Sequence, residues 1–211
     1  MTVDRRLQVG GWAALLVAIM APLQFIVVRV WPDSSEAAVI VAVLALFVAL
    51  NLALLVAAIG LDGLFRPIAP VQASRVRAAG VVGAIVDLGL IAWSWIAAPA
   101  GDPSGAGRPA MIWLGPVAGV VVGLWFFLGG AIVMAGGREL ARIGWPGMIG
   151  GGAMILVAIT VALHFGTATG RGPDELSLRD WLGLIGLFVV LYLVRIWRYV
   201  VGGRLPAPGI L

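Results

Sequence analysis

Apolar runs of about twenty residues alternate along the chain with short polar segments rich in glycine, proline, serine and arginine. About 20 consecutive apolar residues in a helix span a hydrocarbon core. Six runs of this kind can be drawn, approximately 10–31, 36–61, 78–98, 110–135, 143–165 and 181–201. The segments between them carry turn chemistry: WPDSSE, DGLFRPIAPVQASR, GDPSGAGRP, GGRELARIGWPG and TATGRGPDELSLRD. In the last, Ser177 stands three residues before Asp180 and directly ahead of an apolar run, the spacing of a capping box opening the sixth helix. Pro146 falls near the start of the fifth run, where a missing N–H costs little.

Composition strengthens that picture. Of the 211 residues, 62% are hydrophobic and 11% charged, and the mean hydropathy is +1.08. Such a balance excludes an ordinary soluble globular domain. The expected class is all-α: a polytopic membrane protein of six transmembrane helices in one bundle, with residues 1–211 forming a single transmembrane domain. The N-terminal MTVDRRLQVGGW has the basic flank of a signal peptide. The apolar stretch after it is too long for a typical signal core and lacks a clear A-x-A site, so an uncleaved first span is expected.

The formal charge of +4 is carried by arginine, since the chain contains no lysine. The arginines are spread over helix ends, a pattern that fits an orientation signal and gives no nucleic-acid patch. Arg5, Arg6, Arg66, Arg75, Arg77, Arg138, Arg142, Arg195, Arg198 and Arg204 fall on one side of the six-span drawing. Arg29, Arg108, Arg171 and Arg179 fall on the other, with most of the acidic residues. The positive-inside rule then predicts cytoplasmic N- and C-termini. Tryptophan agrees with the drawing: Trp12, Trp145 and Trp197 map to the inner interface, Trp31, Trp93, Trp95, Trp113 and Trp181 to the outer one, and Trp125 alone to mid-span. Three spans in each half would suit an inverted repeat, but residues 10–98 and 110–201 share no internal similarity. The arginine-only, Ala/Val/Gly-rich composition points to a bacterium with a GC-rich genome, hence to the plasma membrane.

One ionisable residue stands in the middle of an apolar span. Asp87 lies in GVVGAIVDLGLIAWSW, and a charged Asp at the centre of a membrane helix costs roughly 2.5–3.5 kcal/mol on insertion scales. Gly80, Gly83, Asp87 and Ser94 recur at helical spacing, so the carboxylate shares the close-packing face and should point into the bundle. It could fix helix register, contact a substrate or ion, or act as an acid. Asn51 is predicted at the same depth, since each residue lies about nine positions from the arginine-side end of its span, roughly 13 Å in. Asn51 also lies opposite an alanine ladder of Ala45, Ala49, Ala53 and Ala57, which predicts neighbours on two faces of that helix. Arg195, one to two turns inside the sixth span, could pair with Asp87 or snorkel to the headgroups. His164 shares a face with Thr160 near the outer end of the fifth span, as a ligand contact or an ordinary polar anchor. Gln24, close to Pro22, could satisfy a carbonyl freed by a kink.

Gly115, Gly119 and Gly123 recur every four residues in the fourth span, Gly130 continues nearly the same stripe, and Gly147 and Gly151 stand in the fifth. Such spacing brings helix backbones together, either within the chain or as a seam for a second subunit. With no cysteine and one histidine, thiolate metal sites, disulfides and a bis-histidine haem are excluded, and no metal or cofactor is expected. No HExxH, GxSxG, phosphate loop or paired carboxylate set is present, so no catalytic residues are assigned and an enzyme is the weaker expectation. Three function classes remain. The first is a bundle that binds or passes a small molecule, ion or proton, transporter-like or sensor-like, with Asp87 at its centre. The second is a non-catalytic accessory subunit that meets a membrane-protein partner, or a second copy, through the glycine stripe. The third is an intramembrane enzyme acting on a lipid-soluble substrate with Asp87 as acid. The lipid bilayer is the common partner of all three.

Overall fold

A computed structural model describes residues 5–30, 37–97, 107–166 and 175–202. It comprises α1 (Arg5–Val30), α2 (Ala37–Gly60), a single-turn α3 (Asp62–Phe65), α4 (Pro70–Ala97), α5 (Gly107–Ala135), α6 (Arg138–Gly166) and α7 (Glu175–Val201), with no strand among the described residues. Five stretches within the described residues are long and apolar enough to cross a membrane: Arg5–Leu23, Val41–Phe65, Pro70–Trp93, Gly115–Ala135 and Arg138–Leu163. α7 matches the sixth apolar run in position, so each run drawn from the sequence corresponds to one long helix.

The six long helices pack in chain order. α1 lies against α2, α2 against α4, α4 against α5, α5 against α6 and α6 against α7, and α7 returns to α1 to close a ring. α3 tucks into one end of that ring, where it touches α1, α2, α4 and α5. This is the arginine-rich end, for α3 carries Arg66 at its C-terminus, α1 and α6 start there, and α7 finishes there with Arg198.

Glycines set the helix spacing. α1 and α2 meet at Gly10 and Gly60, where a Cβ on Gly10 would lie 2.6 Å from the backbone of Gly60. α4 meets α2 at Gly80, whose Cβ would lie 2.5 Å from that of Ala58, and meets α5 at Gly83, beside Val122. α5 and α6 are joined by a tight link at Gly136 and Gly137. Gly137 adopts a φ of +118°, which L side chains rarely reach.

The polar segments conceal more helix than the hydrophobic pattern predicts. α4 begins at Pro70 instead of near residue 78, with the proline at the first helical position, where its fixed φ and lack of an N–H suit the helix. Ala73 and Val76 are fully buried and extend the packed face of Gly80 toward the N-terminus, while Gln72, Ser74 and Arg75 are exposed. α6 begins at Arg138 instead of near 143, so Pro146 lies two turns inside the helix and not in its first turn. α7 is already helical at Glu175, so Ser177 is inside the helix and does not act as its N-cap.

The core at the arginine-rich half is dense. Trp125, Tyr192, Phe65, Leu61, Leu193, Ile196, Val76 and Val133 are among the largest side chains with essentially no exposure. Trp125 and Phe126 meet edge to face at 4.7 Å between centroids, and Phe126 meets Tyr192 at 6.1 Å. Toward the outside of the ring, Trp12 and Trp145 are exposed, and Trp12 packs edge-on against Trp197 at 5.5 Å. Amphipathic rings at one end of a bundle are the arrangement a membrane interface favours.

Candidate functional site

Asp87 lies on α4, seven residues beyond Gly80 in the direction of the end opposite the arginines. Asn51 lies on the antiparallel α2, seven residues from Ala58 in the same spatial direction. Since Gly80 and Ala58 touch, the two polar residues both stand about 10 Å along from one contact, at a rise of 1.5 Å per residue. Measured from that contact, the two residues stand at one level. α4 starts eight residues earlier than expected, so its end is no depth marker.

The two side chains differ in how they are satisfied. Asn51 is buried at 5% exposure, and its Nδ2 donates to the Phe47 carbonyl one turn back at 3.1 Å, leaving Oδ1 as an acceptor. Asp87 is half-buried, and among the described residues no side chain or backbone group is within hydrogen-bonding or ion-pairing reach of its carboxylate. A carboxylate in an apolar span with no cation beside it is unfavourable as the free anion. It can be relieved by a proton, by a cation, or by water.

Arg195 is not that cation. Its guanidinium donates to the backbone carbonyl of Arg142 on α6 and lies 5.6 Å from the centroid of the Trp145 ring. Local geometry explains this placement. The Arg142 carbonyl would normally accept from the N–H four residues on, but position 146 is proline. Arg195 supplies the missing donor. The Asp87–Arg195 pair weighed from the sequence is thus replaced by a repair of the α6 ladder at the arginine-rich end.

His164 and Gln24 fall within α6 and α1, and their side chains lie outside the described residues. Thr160 returns its hydroxyl to the Leu156 carbonyl at 2.9 Å. The glycine stripe is used within the chain. A Cβ on Gly119 would meet Ala158 at 3.1 Å, and one on Gly123 would meet Ile155 at 2.8 Å and the Gly151 carbonyl at 2.9 Å. A Cβ on Gly147 would lie 2.8 Å from the Tyr192 ring, and Gly115 faces open space.

Comparison with protein-family models, curated proteins and solved structures gives no match.

Three features of the interior were not singled out by the sequence. Asp62, at the start of α3, is buried at 8% exposure. Its Oδ2 forms ion pairs with Arg66 at 2.8 Å and with Arg77 of α4 at 3.5 Å, while its Oδ1 is buried without a partner. The pair with Arg77 ties α3 to α4. Phe65, on the same turn, reaches the interior, where a Cβ on Gly129 would find the Tyr192 hydroxyl at 3.0 Å, the Phe65 ring at 3.3 Å and Val76 at 3.7 Å. Four elements therefore converge at one point. The Tyr192 hydroxyl there and the Trp125 Nε1–H, which lies beside Gly80, are buried without hydrogen-bond partners. The signal for α3 was available in Leu61, Leu64 and Phe65, whose i, i+3, i+4 spacing gives one apolar face to a turn that otherwise reads as polar linker.

Proposed function

We propose that this chain is an integral membrane bundle that binds a proton or small cation at Asp87, in a transporter-like or sensor-like role, with Asn51 as a second polar contact. The observation that carries the reading is the half-buried Asp87 carboxylate, which has no partner among the described residues and stands level with Asn51. Toward the arginine-rich end the interior is filled by Trp125, Phe65, Tyr192 and Val76, so a ligand would approach Asp87 from the opposite end. The arginine distribution supports placing the filled end at the cytoplasmic face of a plasma membrane, with Asp87 beyond it toward the outside.

That same filled interior favours a second reading, a non-catalytic accessory subunit in which Asp87 serves only helix packing. Reconstituted vesicles separate the two. With the purified chain in sealed vesicles under an imposed pH gradient or cation gradient, the ligand-binding reading predicts a flux or a gradient-dependent conformational signal that Asp87→Asn abolishes while the fold is retained. Wild type and variant that are equally silent leave the accessory reading.

A further inference from the structure

The outer seam between α6 and α7 carries a concentration of unpaired charge that the Asp87 site does not use. Arg138 and Arg142 are exposed on the first turns of α6, and Arg195 and Arg198 stand on the last turns of α7. The Arg195–Arg142 hydrogen bond brings the two pairs side by side. None of the four guanidinium groups has a carboxylate within ion-pairing distance among the described residues, whereas Arg66 and Arg77 are both paired to Asp62. The neighbouring acid, Glu139, lies one residue round α6 and acts on Tyr199 of α7. The first-turn N–H groups of α6, beginning after the Gly137 turn, add further positive potential at the same place.

What lies beside these arginines identifies the ligand's other half. Arg138, Arg142, Trp145 and Ile149 follow one another at helical spacing along the outer stripe of α6, and Trp145 and Ile149 are exposed at 37% and 47%. Leu187 continues the outer face of α7 from Arg198 and Arg195 and is 54% exposed. The charged end therefore passes directly into an exposed apolar strip running along the seam. A free phosphate has no use for that strip, whereas a phospholipid has a headgroup for one end and acyl chains for the other.

We infer that the α6–α7 seam at the arginine-rich end is a binding site for an anionic phospholipid, with the phosphodiester held by Arg138, Arg142, Arg195 and Arg198 and the chains lying along Trp145, Ile149 and Leu187. Guanidinium groups suit this task, since they hold phosphate oxygens in bidentate fashion and stay charged. Arg195 is positioned for it by its bond to the Arg142 carbonyl and by the Trp145 ring beneath it. The site rests on the membrane-embedded reading but not on any role for Asp87.

The full chain in mild detergent, offered equimolar phosphatidylglycerol and phosphatidylcholine, tests this by native mass spectrometry of the retained lipid. Selective retention of phosphatidylglycerol is expected, with Arg142→Gln/Arg198→Gln lowering that preference about ten- to thirtyfold. The exposed pair Arg5→Gln/Arg75→Gln, on α1 and α4, removes the same charge from elsewhere on that end and should leave the preference within about twofold. Should the first double variant fail to fold, Arg138→Gln alone is expected to lower the preference severalfold. Equal retention of the two lipids, equal loss in the α1/α4 control, or no effect of Arg138→Gln would overturn the site. Displacement of the lipid by glycerol phosphate at equal concentration would assign the arginines to a soluble phosphate and overturn the lipid proposal.

Discussion

Arg195→Met removes the donor that serves the Arg142 carbonyl, and the cost should depend on what occupies position 146. Hydrogen bonds to charged groups contribute about 1.5–3 kcal/mol when shielded. This one is at an exposed helix end, where water replaces part of it, so about 1 kcal/mol is the expected loss. The contact with the Trp145 ring adds about 0.5–1 kcal/mol. The total for Arg195→Met is then roughly 1.5–2 kcal/mol. In a Pro146→Ala background the helix regains an N–H four residues after Arg142, and the carbonyl no longer needs Arg195. There Arg195→Met should cost only the ring contact, about 0.5–1 kcal/mol. The two substitutions should therefore be non-additive by about 1 kcal/mol. Reversible denaturation of all four proteins in mixed micelles, each followed by helical circular dichroism, measures that coupling. Additivity within about 0.3 kcal/mol would refute the proposal that Arg195 completes the ladder that Pro146 interrupts.

The glycine stripe offers an internal comparison. Gly123→Ala forces a Cβ against Ile155 and the Gly151 backbone and should destabilise by about 1–3 kcal/mol, whereas Gly115→Ala meets nothing within 4 Å and should be neutral or stabilising by up to about 1 kcal/mol, both read from thermal melts in detergent. The reverse order would mean that α5 and α6 do not approach as described. For orientation, the chain has no cysteine to remove, so single cysteines at Ser74 and Ser104 should label oppositely with an impermeant thiol reagent in intact cells, Ser104 at once and Ser74 only after permeabilisation. Equal labelling would contradict the cytoplasmic assignment of the arginine-rich end.

The number and placement of the long helices are legible in the sequence because a membrane span must satisfy its own backbone over about 20 apolar residues, and few other patterns do so. The ends are less legible. Pro70 to Arg77 and Arg138 to Arg142 alternate charged with buried positions, and average hydropathy falls there although one face of the helix is still packed, as Ala73, Val76 and Leu140 demonstrate. Counting from span ends gives no depth for Asp87, because α4 starts at Pro70; the common level of Asp87 and Asn51 is read from the Gly80–Ala58 contact, seven residues from each, which only the folded helices bring together. Arg195 could not be placed, since its partner is a backbone carbonyl 53 positions away whose need arises from a proline. Asp62 was equally hidden. The spacing of Leu61, Leu64 and Phe65 gives α3 an apolar face, but the burial of Asp62 depends on that turn folding back into the ring, a tertiary contact the local pattern does not specify.

The most direct test of the central claim is whether the Asp87 carboxyl exchanges a proton or cation while the protein is embedded in lipid. Infrared difference spectroscopy of the reconstituted chain, stepping pH or cation concentration, isolates carboxyl stretches that change protonation or coordination. Subtracting the spectrum of Asp87→Asn assigns the Asp87 contribution against those of Asp62 and Glu139. A carboxyl band that responds to the step in the wild type and is missing from the variant is expected, with the remaining bands unchanged. Identical difference spectra for the two proteins, both folded, would contradict it.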